Sequence, residues 1–234
     1  MDAENWDSSW LASIFRVGWI GIVALGKTNG YGTIIWIASF PGISLIRAPD
    51  AKRNADKVIV DQPEGAKERV LLALVFVGAT ILPLVLSATG ALAFANYTLP
   101  IWAPAIGGVL VVPGQWLFWR SHADLGRNWS IATELHEEQT LVTSGVYSRI
   151  RQPMYSANWL MFLAQPLLIQ KWIAGWAGPI AFAVVYFNRV PYEEAMMRKQ
   201  FGEEYDAYMQ RSGRLLLRYR LKSAVTSRSG RWPR

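Results

Sequence analysis

Two polar stretches of this chain carry side chains able to bind and align a charged small molecule. One runs Thr140-Leu-Val-Thr-Ser-Gly-Val-Tyr-Ser-Arg-Ile-Arg-Gln-Pro-Met-Tyr155, at the entrance of an apolar run. The other is Arg189-Val-Pro-Tyr-Glu-Glu194, at the exit of the next apolar run. Arginine grips a carboxylate or phosphate through two parallel hydrogen bonds. If a helix continues through Pro191 or restarts there, Arg189 and Glu193 share one face. Glu193 or Glu194 suits a ribose hydroxyl or an ammonium. Pro153 suits the first position of a helix, whose N–H groups and partial positive charge favour an anionic group. Tyr147 and Tyr155 add aromatic faces and hydroxyls. Together these fit a ligand with an aromatic ring, hydroxyls and a carboxylate. An exposed Arg–Glu pair alone is ordinary and worth under about 1 kcal/mol. Its meeting with 140–155 at one edge of an apolar bundle is what marks a site.

The positioning elements are long apolar blocks such as Val70 to Ala88 and Leu99 to Trp119, without Asp, Glu, Lys or Arg in the former and with none before Arg120 in the latter. About 20 apolar residues cross a hydrocarbon layer. Segments near 9–26, 31–46, 70–88, 100–119, 155–170 and 172–188 therefore read as membrane helices. The expected fold is an all-α, polytopic transmembrane bundle of about five or six helices with a cytoplasmic cofactor-binding pocket. Arg16 and many glycines make the first two segments the least regular; an interfacial amphipathic helix is the alternative for the first. Three regions follow: 1–69, N-terminal membrane helices and a charged loop; 70–217, the core, with its motifs in 125–217; and 218–234, a basic tail.

All but Arg16, Lys27 and Lys171 of the 24 lysines and arginines fall in 47–69, 120–154 and 189–234. The positive-inside rule makes these stretches, both termini and the site cytoplasmic. The formal charge of +7 thus reflects topology and implies no nucleic-acid partner. The tail is expected to be drawn to anionic lipid at about 1 kcal/mol per charge. The acidic start does not resemble a signal peptide. Cysteine is absent, which excludes disulfides, thiolate catalysis and cysteine metal sites. His122 and His136 lie in polar sequence and suggest no metal. No glycine-rich nucleotide loop of the GxGxxG or GxxxxGK[ST] type stands in the required context. Trp102, Trp116, Trp119, Trp159 and Trp172 sit near segment ends as an aromatic belt. Thr140–Thr143, β-branched and bounded by Ser144-Gly145, is expected to be an extended strand ending in a tight turn.

Leu141-Val-Thr-Ser-Gly-Val-Tyr-Ser-Arg-Ile-Arg-Gln-Pro-Met-Tyr155 resembles the LVxxGxYxxxRHPxY motif of the isoprenylcysteine carboxyl methyltransferases and their phospholipid methyltransferase relatives. Arg189, Glu193-Glu194, Phe201-Gly-Glu-Glu-Tyr205 and Tyr208 are similar to the same family's ending, and the likeness covers roughly 125–217. The resemblance implies S-adenosylmethionine as methyl donor on the cytoplasmic side and a lipophilic or lipidated acceptor arriving from the bilayer. It implies donor contacts at Gln139, Thr140, Leu141, Val142, Tyr147, Gln152, Pro153, Met154, Tyr155 and Glu193. It places Arg189 against the acceptor and makes Arg189, Glu193 and Glu194 the catalytic candidates. The family's histidine before proline is Gln152 here, which hydrogen-bonds but does not titrate near neutral pH.

A carboxylate acceptor, such as an isoprenylcysteine α-carboxyl group, needs no base. An amine or thiol acceptor does, and Glu193 or Glu194 is the candidate. A sterol-reductase-like enzyme using reduced nicotinamide and a non-catalytic lipid-binding protein are the rival classes.

Overall fold

The computed structural model describes residues 30–53, 65–126 and 140–217. The expected segment 9–26, Gln139, His136 and the tail from 218 lie outside the described residues. Six α-helices follow in order: α1 (Gly30–Arg53), α2 (Gly65–Phe76), α3 (Leu82–Thr89), α4 (Ala103–Leu125), α5 (Pro153–Leu168) and α6 (Trp172–Arg211). Among the described residues no strand forms. That corrects the expectation for Thr140–Thr143, which forms no strand. A strand needs a neighbour for its backbone groups. Among the described residues β pairing is confined to two isolated bridges, Asn96 with Lys171 and Ile150 with Gly213.

Between α2 and α3 the helix widens into a π-turn, Val77–Ile81, and the Leu82 N–H donates to the Val77 carbonyl. Pro83 explains it, because its ring would clash with the carbonyl of residue 79 in a regular α-turn. The carbonyl of Gly78 instead accepts a hydrogen bond from Gln165 Nε2 (3.2 Å), which also donates to Ala174 O (2.7 Å). One buried glutamine of α5 thus stitches the π-turn to α6. Polar satisfaction of this kind makes irregular backbone tolerable within an apolar bundle.

The core joins α1, α3, α4, α5 and α6 through Trp36, Leu86, Val111, Ala164, Leu168 and Ala174. α4 lies close along α5, since a Cβ added at Gly114 would meet Met161 Cγ at 2.8 Å. The outside is apolar as well. Val70, Val77 and Val85 of the α2–α3 rod, Val109, Val112 and Trp116 of α4, and Ile180 and Phe187 of α6 are all exposed. Helices hydrophobic on every side suit a membrane or the core of a larger assembly. Among the described residues two rods are long and apolar enough to cross one, Ala66–Thr89 and Trp172–Arg211. Trp102, Trp116, Trp119 and Trp172 remain exposed, in keeping with a belt. Trp159 differs: its ring packs edge-on against Phe182 and Tyr186, with centroids 5.1 and 5.8 Å away.

The loop expected over 47–69 is shorter than the charge pattern suggests, because α1 runs to Arg53 and α2 starts at Gly65. This difference matters for the site. It turns Glu68 from a solvated loop residue into a buried one on the first turn of α2.

Candidate active site

The Gly145–Ser148 turn is built on Asp124, at the end of α4. Asp124 Oδ2 accepts the Val146 N–H at 2.8 Å, and Arg120 holds the other carboxylate oxygen at 2.9 Å. Gly145 has φ +56°, and a Cβ there would collide with the Asp124 carboxylate. Gly145→Ala is therefore expected to lower stability by about 1–3 kcal/mol, read as a falling unfolding midpoint in detergent. No change would mean that the turn has another conformation.

The turn drives Tyr147 inward. Its ring is 7% exposed, and its hydroxyl lies 3.4 Å from the Ser121 carbonyl. Burial, then the neighbouring Tyr208, Asp124 and Glu193, pushes this phenol well above the usual tyrosine range, so it stays a neutral donor. Its own carbonyl accepts the Tyr208 hydroxyl at 2.5 Å. That contact exists because α6 kinks at Gly202 (φ 52°, ψ −126°), a conformation glycine adopts without strain. The kink returns the last turns of α6, with buried Tyr205 and Tyr208, to the bundle.

Past α6 the chain folds back along the entrance of α5. Gly213 N–H donates to Arg149 O (2.9 Å), Arg151 N–H to Gly213 O (2.7 Å) and Gln152 N–H to Arg214 O (3.0 Å). Ser156 Oγ donates to Leu215 O at 2.7 Å. Beneath this clip, Glu194 takes both nitrogens of Arg214, at 3.0 and 2.5 Å, and lies 3.4 Å from Arg151. The Glu194 hydrogen bonds are the largest cause raising the Arg214 pKa above its ordinary value. Arg151 Nη1 also donates to Ser212 O at 2.6 Å.

Glu193, one residue earlier, faces elsewhere. Tyr155 donates its hydroxyl to Glu193 Oε1 at 2.6 Å, and Arg189 Nε stands 3.6 Å from the same oxygen. α6 continues through Pro191, so Arg189 and Glu193 do share a face. The other side of the Arg189 guanidinium meets Glu68 Oε1 of α2 at 3.2 Å. The exposed fractions of the Arg189, Glu68 and Glu193 side chains are 14%, 10% and 19%, so the trio is nearly dry. Beside it Tyr155, Trp159, Phe182 and Tyr186 form an aromatic wall, with Tyr155 5.6 Å from Tyr186 and 6.1 Å from Phe182. Along the same α2–α6 seam an apolar groove of ≈ 300 Å³ runs past Leu74, Val77, Gly78, Ala181 and Val184.

Of the residues singled out from sequence, Tyr155, Arg189 and Glu193 come together directly. Glu194 is turned into the Arg151–Arg214 clip, and Tyr147 anchors the turn. Pro153 is buried, Gln152 and Met154 are half-buried, and Gln152 ties α5 to the clip through its backbone. Thr140 is exposed, with Leu141 and Val142 half-buried. Sequence reasoning missed Glu68, Asp124, Arg151 and Arg214. A glutamate two residues before the start of an apolar block was the available signal for Glu68; nothing local marked Arg214 among so many basic residues.

Residues 102–204 match the family model described as phospholipid methyltransferase. A probable protein-S-isoprenylcysteine O-methyltransferase of Oryza sativa subsp. indica is 30% identical over 112 residues, covering 45% of this chain and 56% of the relative. Protein-S-isoprenylcysteine O-methyltransferase B of Arabidopsis thaliana is 32% identical over 116 residues, covering 47% of this chain and 57% of the relative. The match thus spans little more than half the length of these curated relatives. Among solved structures, the eukaryotic intramembrane Ras methyltransferase (isoprenylcysteine carboxyl methyltransferase) superposes with a TM-score of 0.58 at 19% identity, over 88% of this chain and 74% of that chain. The likeness establishes a shared fold.

Proposed function

We propose that this chain, whose residues 102–204 match the phospholipid methyltransferase family model, transfers a methyl group from S-adenosylmethionine to a membrane-embedded acceptor. The acceptor proposed is a carboxylate on an apolar carrier, as in an S-isoprenylated cysteine. One observation carries the reading: the Tyr155–Glu193–Arg189 chain sits in a dry seam that an apolar groove also follows.

The side chains fit this donor. A carboxylate beside four aromatic rings suits a cationic sulfonium and a flat base, through charge and cation–π attraction. When bound, S-adenosylmethionine supplies a methyl group already activated on its sulfonium for in-line displacement. The protein's task is then alignment, and orientation of this kind can supply up to about 7–11 kcal/mol of the barrier. Arg189 holds the acceptor carboxylate by its fork of N–H groups and aims one oxygen. Glu193, held by the Tyr155 hydroxyl, would hold the donor's ammonium or ribose. The low exposure of the trio excludes water from the path. Thr140, Leu141, Val142, Gln152, Pro153 and Met154 are proposed to line the donor side, with Gln139 before them. Tyr147 and Glu194 are proposed to shape the site rather than touch reacting atoms. The described basic residues at this end, Arg120, Arg149, Arg151, Arg198 and Arg211, support a cytoplasmic placement by the positive-inside rule.

Two carboxylates around Arg189 favour, as second reading, a phospholipid amine acceptor, with Glu193 taking its proton. Calorimetry of S-adenosylmethionine with the detergent-solubilised protein tests the donor. Micromolar binding is expected, weakened at least about tenfold in Glu193→Ala and less in Tyr155→Phe. A folded protein that binds no donor ends the methyltransferase reading. Incubation with labelled donor and either a prenylcysteine or an ethanolamine lipid then separates the two acceptors.

A further inference from the structure

The methyl-transfer reading leaves Glu68 without a task, although it is one of the few buried carboxylates among the described residues. Lys67 and Arg69, its neighbours on α2, are exposed, while Glu68 is 8% exposed and turned into the seam toward Arg189. Its approach to Arg189 Nη2 is close, at 3.2 Å, yet Glu68 Oε1 forms no hydrogen bond. This is an ion pair of short distance and poor angle. The chain builds better pairs elsewhere, since Arg214 clamps Glu194 through two nitrogens with full hydrogen bonds. A buried carboxylate oxygen left without a hydrogen bond is costly, and one held only by charge is readily exchanged.

We propose that Glu68 is a positioning residue that occupies the acceptor's place on Arg189 and yields it to an incoming carboxylate. The inference rests on the reading of Arg189 as the acceptor's anchor. Arg189 already faces two carboxylates, Glu68 and Glu193. A third could not join them around one guanidinium without strong repulsion in so dry a place. One must leave. Glu193 is tied by the Tyr155 hydroxyl at 2.6 Å, whereas the oxygen of Glu68 nearest Arg189 has no such tie. Glu68 therefore moves, and an acceptor's carboxylate takes over its contact in better geometry. Until then Glu68 keeps the Arg189 charge compensated in the seam. The same exchange sets specificity, because a neutral headgroup gains nothing by displacing a carboxylate from arginine.

Equilibrium binding to the full chain in detergent, without methyl donor, tests this with two probes: an S-prenylated cysteine with a free carboxylate, and its methyl ester. Glu68→Gln keeps the shape and removes the competing charge. It is expected to bind the carboxylate about 10-fold tighter than wild type, with affinity for the ester unchanged. Glu68→Asp withdraws the charge by one methylene and should give a smaller gain of the same sign; it decides the matter if Glu68→Gln does not fold. Equal or weaker carboxylate affinity in the folded variant, or an equal gain for the ester, overturns the proposal. Adding donor to the wild-type samples separates the two readings. Absence of methyl ester product alongside charge-dependent binding removes the enzyme reading and leaves the role of Glu68. Product formation without any effect of Glu68→Gln removes the role of Glu68 alone.

Discussion

Arg189→Ala is expected to lower methyl transfer to a carboxylate acceptor by about 100-fold or more, with donor affinity changed only a few-fold. The Arg189 side chain is only 14% exposed, so its attraction for a carboxylate is less weakened by water than at the surface. Losing it removes both the anchoring charge and the fork that fixes which oxygen faces the methyl group. Misplacement of a reactant by about 1 Å can alone cost some 100-fold. Lysine keeps the charge but not the fork, and should recover binding more than turnover. The measurement is kcat and KM for a prenylcysteine, with donor calorimetry in parallel. An Arg189→Ala enzyme of near wild-type kcat/KM would show that the acceptor is held elsewhere, and an amine acceptor would then lead.

Glu194→Gln is expected to act on the fold, lowering stability by about 3–5 kcal/mol. Glu194 is 5% exposed and compensates Arg151, whose side chain is 10% exposed. Neutralising it strands the Arg151 guanidinium in the interior. Arg214 is half exposed and can turn to solvent, so its share of the loss is small. The clip of residues 212–215 over α5 should loosen with it, because Arg151 also holds the Ser212 carbonyl. Thermal unfolding of wild type and variant in one detergent measures the effect. A Glu194→Gln protein of unchanged stability but lost turnover would instead put Glu194 among the reacting groups. The contrast with Glu193 comes from helix geometry alone: successive residues point about 100° apart, so adjacent glutamates serve different sides.

Much of this was legible in one dimension. Helix starts along 70–188 follow from the apolar runs, since hydropathy is a local property, although α4 continues to Leu125 and α6 to Arg211, well past their apolar parts. Pro153 at the entrance of α5 and the shared face of Arg189 and Glu193 follow from local backbone rules. Less legible was Thr140–Thr143, where β-branched residues suggested a strand and none forms. Gly202 stood in plain view in Phe-Gly-Glu-Glu-Tyr, but a single glycine does not reveal the direction of a kink.

By itself the sequence determined a helical membrane protein with a polar cluster at one end, because periodicity and charge asymmetry depend only on neighbours along the chain. Tertiary structure alone decided how that cluster is divided. It joined Glu68 to Arg189 and Arg214 to Glu194, and it bent α6 at Gly202 so that Tyr208 reaches Tyr147. Such pairings depend on where distant segments meet. Here that was set by a π-turn, a kink and close helix packing, whose energies reside in contacts that no local window contains.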